Sequence, residues 1–145
     1  MKAEGEGKLS DARDLFARAW QVATDDYYAS VAAHFVARQA ETLEGKLEWN
    51  LRALSHADAV GDGSVASFYP SLYLNVGYAR EQLGEFDEAA RCYDMAAERL
   101  DDQLPGPLGD LVRSGIDAGR RRIAEKLEGF LRTETSLDSR DEVDV

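Results

Sequence analysis

Between Tyr73 and Ala96 small and aromatic residues return at intervals of three and four. Tyr73, Val76, Gly77 and Arg80 fall on one face of a first helix, and Gly84 then interrupts the pattern. A second run places Phe86, Ala89, Cys92, Tyr93 and Ala96 on one stripe, with Asp87 and Glu88 in the first turn, where the helix dipole favours carboxylates. The spacing predicts two antiparallel helices meeting at Gly77 and Ala89, where almost no side chain separates the backbones. Tyr73, Phe86 and Tyr93 would fill the flanking space.

The second half of this pattern recurs. Gly7, Leu9, Ala12, Phe16 and Ala19 have the mutual spacing of Gly84, Phe86, Ala89, Tyr93 and Ala96; Gly45, Leu47, Asn50, Leu54 and Ala57 repeat it with an asparagine at the alanine position. The glycines lie 38 and then 39 residues apart, a period typical of helical repeat arrays. Tyr73, Val76, Gly77, Gly84, Phe86, Ala89, Tyr93 and Ala96 resemble the tetratricopeptide repeat, in its small stand-alone bacterial type, although Arg80 and Asp101 replace a usual tyrosine and proline. The resemblance implies an all-α fold: antiparallel helix pairs wound into a right-handed superhelix and closed by a C-terminal capping helix. It also implies a concave groove for a protein partner, lined by the first helix of each pair.

Read in order, residues 1 to 7 look frayed, and Ser10 is a candidate N-cap for a helix carrying Phe16 and Trp20. That helix would be the second of an incomplete pair, so its exposed edge needs cover from the next repeat's helix or from a second subunit, the latter a homodimer. Asp25 and Asp26 read as the cap of the next helix and Thr42 as that of the one after, with Leu47, Leu51, Leu54 and Ala57 of the latter facing the core. Ser64 is the expected cap of the third pair, and Pro70 predicts either a kink or a true helix start. After the break at DDQLPGPLGD, a last helix carries Leu108, Leu111, Val112, Ile116, Ile123, Leu127, Phe130 and Leu131 as its apolar set. One domain is expected over residues 1–132, followed by a disordered acidic tail over 133–145.

The net charge of −11 argues against binding nucleic acid or an anionic membrane surface, and no apolar run approaches a membrane span. With one cysteine and no apolar leader, a cytoplasmic location is expected. His34 and His56 lie outside any metal-ligand spacing, Cys92 sits on a packing stripe, and no phosphate-loop, dinucleotide or nucleophile-elbow motif occurs. The expected function is therefore a non-enzymatic interaction scaffold without metal or cofactor, binding a peptide or protein.

The expected groove comprises Phe35, Gln39, Leu74, Asn75, Tyr78 and Gln82, with Ser71 and Glu81 also facing outward. Asn75 is singled out because an amide both donates to and accepts from an extended backbone. On the last helix six cations face three carboxylates between residues 111 and 132, and Arg113, Arg120 and Arg121 are the expected anion contacts. Some members of the family hold an acidic chaperone tail with asparagines and basic residues. His34, Arg38 and Gln39 stand where the earlier part of that set would be, so the chaperone function is not carried over. The alternative is a small-molecule sensor with an aromatic pocket of Tyr27, Tyr28, Trp49, Tyr69 and Tyr73.

Overall fold

A computed structural model describes residues 2–23, 25–100 and 105–141, with side chains from 10 to 138. Among them the chain is all-helical: α1 (Lys2–Val22), α2 (Asp26–Gln39), α3 (Leu43–Ala59), a 3₁₀ segment (Gly63–Phe68), α4 (Tyr69–Gln82), α5 (Phe86–Glu98) and α6 (Gly106–Asp141).

Local chemistry sets most of the boundaries. Asp25 accepts from the Tyr28 N–H and Thr42 from the Gly45 N–H, each satisfying an orphan donor of its helix, as the sequence predicts. Pro70 falls in the first turn of α4, where its missing N–H is not needed, so a true helix start replaces the kink. Ser64 does not cap this region. Asp62 does so instead, accepting from the Ser64 N–H ahead of the 3₁₀ turn. Gly84 turns the chain between α4 and α5 with φ of 82°, in the left-handed region that disfavours a side chain.

Two helix pairs are antiparallel by their register. Asp26 at the start of α2 meets His56 near the end of α3, while Ser30 donates to the Ala53 carbonyl further in. In the second pair the Arg99 guanidinium lies over the Tyr69 ring at one end, and Arg80 meets Glu85 at the other. Gly77 is the point of close approach, as predicted. A Cβ there would lie 3.1 Å from both Cys92 and Tyr93, while Ala89 is fully buried beside this contact.

α4 is central because its two faces enter different cores. Leu72 joins Ala33, Ala53, Ala57 and Val65 between the pairs; Tyr73 joins Ala89, Tyr93, Ala96, Val112, Ile116 and Ile123 beneath α6. At the N-terminal end Phe16 stacks on Phe35 at 4.6 Å, and Trp20 meets the edges of Trp49 and His56.

Several expectations need correction. α1 begins at Lys2, which places Ser10 inside a helix instead of at its cap and gives the segment expected to fray a regular conformation. In α3 the inward stripe is Asn50, Ala53 and Ala57, whereas Leu51 is exposed, a rotation of roughly one residue about the helix axis. α6 does not stop at Arg132 but continues through Asp141; Thr133 and Thr135 donate to the carbonyls one turn back, at Gly129 and Leu131, so their hydroxyls fit within the helix. Of its predicted apolar set only Val112, Ile116 and Ile123 are buried. Residues 142–145, the end of the expected tail, lie outside the described residues.

Two glycines of α6 behave oppositely. A Cβ on Gly119 would lie 2.4 Å from Cζ of the fully buried Tyr93 ring, whereas one on Gly129 meets nothing within 4 Å. Gly119→Ala should therefore lower stability by about 1–3 kcal/mol through overpacking. Gly129→Ala should raise it by about 0.5–1 kcal/mol through helix propensity. Urea unfolding followed by circular dichroism reads both, and equal effects from the two substitutions would contradict this docking of α6.

Candidate functional site

α2, α4 and α6 frame a groove with α4 as its floor. The outer helices run alongside α4 in the same direction, because in all three the earlier residues line one end of the groove and the later residues the other. Tyr27, His34, Ser71, Leu72 and Leu108 belong to the first end; Ala37, Arg38, Leu74, Asn75, Tyr78, Gly115 and Arg122 belong to the second. Gly115 permits this closeness, since a Cβ there would meet the Leu74 side chain at 3.1 Å.

The second end is a cleft of about 480 Å³, completed by Leu43, Lys46, Asn50 and Ala79. The expected residues Leu74, Asn75 and Tyr78 meet here, and Tyr78 stands half exposed. Three cations border it: Arg38, Lys46 and Arg122. Among the described residues neither Arg38 nor Lys46 has an ion-pair partner. In the lining, the Asn50 Oδ1 is buried without a hydrogen-bond partner among the described residues. An orphan acceptor of this kind costs on the order of 1–3 kcal/mol unless a ligand or water donates to it.

Other expected site residues lie elsewhere. Phe35 stacks on Phe16 and lines the apolar end of the groove. Gln39 and Gln82 sit near the ends of α2 and α4, outside the cleft lining. Arg113 pairs with Asp110 at 3.7 Å, Arg120 with Asp94 of α5 at 2.6 Å, and Arg121 Nε donates to the Asp117 carbonyl, so none of the three borders the cleft. The five aromatic residues of the sensor reading also disperse. Tyr69 and Tyr73 stack beneath Arg99, Trp49 packs with Trp20, and of the five only Tyr27 lines the apolar compartment.

Arg122 owes its position to Glu81, which the sequence pattern places on the outside. Glu81 is instead fully buried. Arg122 donates from Nε and Nη2 to its two oxygens at 2.8 and 3.0 Å, the Tyr93 hydroxyl donates at 2.8 Å, and Lys126 Nζ lies 3.7 Å away. Burial alone would push this carboxyl up. The Arg122 and Tyr93 hydrogen bonds and the charges of Arg122 and Lys126 outweigh burial and hold it below its ordinary 4.5. Burial and the Glu81 contact push the Tyr93 phenol well up, so it stays protonated as the donor. Burial likewise raises the Cys92 thiol, which suits a packing residue in contact with the Gly77 backbone.

Among the described residues no group of three or more His, Cys, Asp or Glu side chains is placed to share a metal ion, and no helix is long and apolar enough to cross a membrane. Comparison with models of protein families, with curated proteins and with solved structures finds no match to this chain.

The buried carboxylate gives a signed pH prediction. Glu81→Gln should cost about 2–3 kcal/mol at pH 7, the low side of the range for a broken buried pair because Arg122 keeps an exposed edge. A depressed folded pKa means that the ionised group stabilises the fold fully above the unfolded value near 4.5, and that this contribution is lost as the pH falls through the lower, folded value. The gap between wild type and Glu81→Gln in urea titrations should accordingly narrow below pH 4.5. A gap independent of pH would contradict an ionised Glu81.

Proposed function

We propose that this chain is a non-enzymatic interaction scaffold of the tetratricopeptide-repeat kind, whose groove between α2, α4 and α6 binds an extended segment of a protein partner. The carrying observation is the combination in one cleft of the amide of Asn75 and the exposed Tyr78 ring with two cations, Arg38 and Lys46, that have no ion-pair partner among the described residues. An extended backbone supplies both donors and acceptors for Asn75, which gives a grip tolerant of sequence. The exposed Tyr78 adds a rigid flat contact of the type common at interface hot spots. The cations then favour an acidic side chain on the bound segment, in a protein that is otherwise acidic.

The antiparallel pairs, the close approach at Gly77 and the 39-residue recurrence of buried positions, Asn50 with Ala89 and Ala57 with Ala96, support the repeat reading. Under it, α2 and α4 are the first helices of successive pairs, and α6 closes the array.

Selection from a random peptide display library tests this proposal. Wild type should enrich extended segments containing Asp or Glu. Asn75→Ala with Tyr78→Ala should weaken the selected peptides by at least about tenfold, and Arg38→Glu with Lys46→Glu should remove the acidic preference. Undiminished binding of those peptides by both double variants would refute the groove assignment.

A further inference from the structure

We infer that the anion held by the cationic cleft is a phosphate monoester, in preference to a carboxylate. The inference rests on the cleft assignment proposed above and names the group that the bound segment carries there.

Three cations reach the cleft from three different helices: Arg38 from the last turn of α2, Lys46 from the first turn of α3, and Arg122 from α6. Among the described residues no carboxylate lines it. Arg38 and Lys46 are exposed and have no ion-pair partner among those residues. Arg122 is paired but not used up. It bonds Glu81 through Nε and Nη2, which leaves Nη1 without a hydrogen-bond partner among the described residues. Behind it, the one charge of Glu81 faces two cations, Arg122 and Lys126, so the anchor leaves a net positive charge at the edge of the cleft.

The chemistry of the guest follows from this count. A carboxylate brings one charge and two oxygens in one plane, and a single guanidinium fork already satisfies it. A phosphate monoester brings about −1.5 to −2 charges at pH 7 and three acceptor oxygens pointing apart, which suits donors arriving from three helices. Asn75 adds an amide donor in the same lining. The Tyr78 ring, 5.6 Å from the Arg122 guanidinium carbon, and Leu74 supply an apolar wall for the group that carries the ester. Beyond the cleft the net charge of −11 repels a polyanion such as nucleic acid, which selects a single anionic group on an otherwise uncharged guest.

The test titrates the full chain, followed in ¹H–¹⁵N spectra, with three blocked pentapeptides of one sequence whose central residue is phosphoserine, glutamate or serine. Two small probes, phenyl phosphate and phenylacetate, are titrated beside them. The phosphopeptide should bind at least about tenfold tighter than the glutamate peptide, with shifts centred on Ala37, Lys46 and Asn75. Arg38→Gln with Lys46→Gln, both at exposed unpaired positions, should remove that preference; Arg122 is left in place because its loss would unpair Glu81. Equal affinity for the phosphoserine and glutamate peptides would overturn the phosphate inference and leave the segment reading standing. If no peptide binds while phenyl phosphate saturates with the same shifts and phenylacetate does not, the phosphate site holds and the segment reading falls. No saturation by either phosphate probe below about 1 mM, shifts centred on Arg113 and Arg120, or a preference retained in the double variant would each overturn the inference.

Discussion

A single buried carboxylate sets the register in which the last helix, with Val112, Ile116 and Ile123 in the core, docks on the rest of the molecule. Glu81 lies inside the α4–α5–α6 contact and survives there ionised because Arg122 and Tyr93 occupy its lone pairs and Lys126 adds charge. Desolvating such a group is expensive, so the arrangement persists only while all three helices keep their register. The constraint works in both directions. It fixes the rotation of α6 so that Gly119 faces the Tyr93 ring, and it brings Arg122 to the edge of the cleft with part of its guanidinium accessible. The basic face of α6 is thus divided. Arg120 and Arg113 meet local carboxylates, Arg122 anchors the helix, and the unpaired charge in the cleft comes from α2 and α3.

What was legible in the sequence was what local chemistry and helical periodicity determine by themselves. Asp25 and Thr42 precede apolar-periodic runs and cap them; Pro70 can only open a helix; the close approach at Gly77 follows from its missing side chain. The grouping of Leu74, Asn75 and Tyr78 on one exposed face of α4 was readable for the same reason. Glu81 was not. A carboxylate at its position reads as solvent-facing, and its burial results from three elements meeting, one of them, α6, distant in the chain. The same carboxylate orders the helix so that Arg122, and not Arg113, Arg120 or Arg121, borders the cleft. The one available hint was that Arg122 and Lys126 are four apart, and so share a face.

The two ends of the chain show a different limit. Neither Ser10 nor Thr133 marks a boundary, because a polar helix has no apolar periodicity with which to announce itself, and both residues are compatible with a helix interior. α3 illustrates a third case. Its leucines at 47, 51 and 54 form a plausible stripe, but the side facing α2 is set by the Ser30 bond to the Ala53 carbonyl and by the need for small residues there, which turns Asn50 inward and Leu51 outward. Helix rotation was therefore decided by which side chains were small enough to permit contact.

α6 borders both compartments of the groove, with Leu108 at one and Gly115 and Arg122 at the other. A shared rigid wall makes any displacement at one mouth a displacement at the other, since the helix between them has no glycine hinge with a positive φ. If two guests each draw that wall toward themselves, linkage requires that the factor by which the first alters the second's dissociation constant equal the factor by which the second alters the first's. The sign of the exchange is set by whether both guests favour the same tilt of the wall.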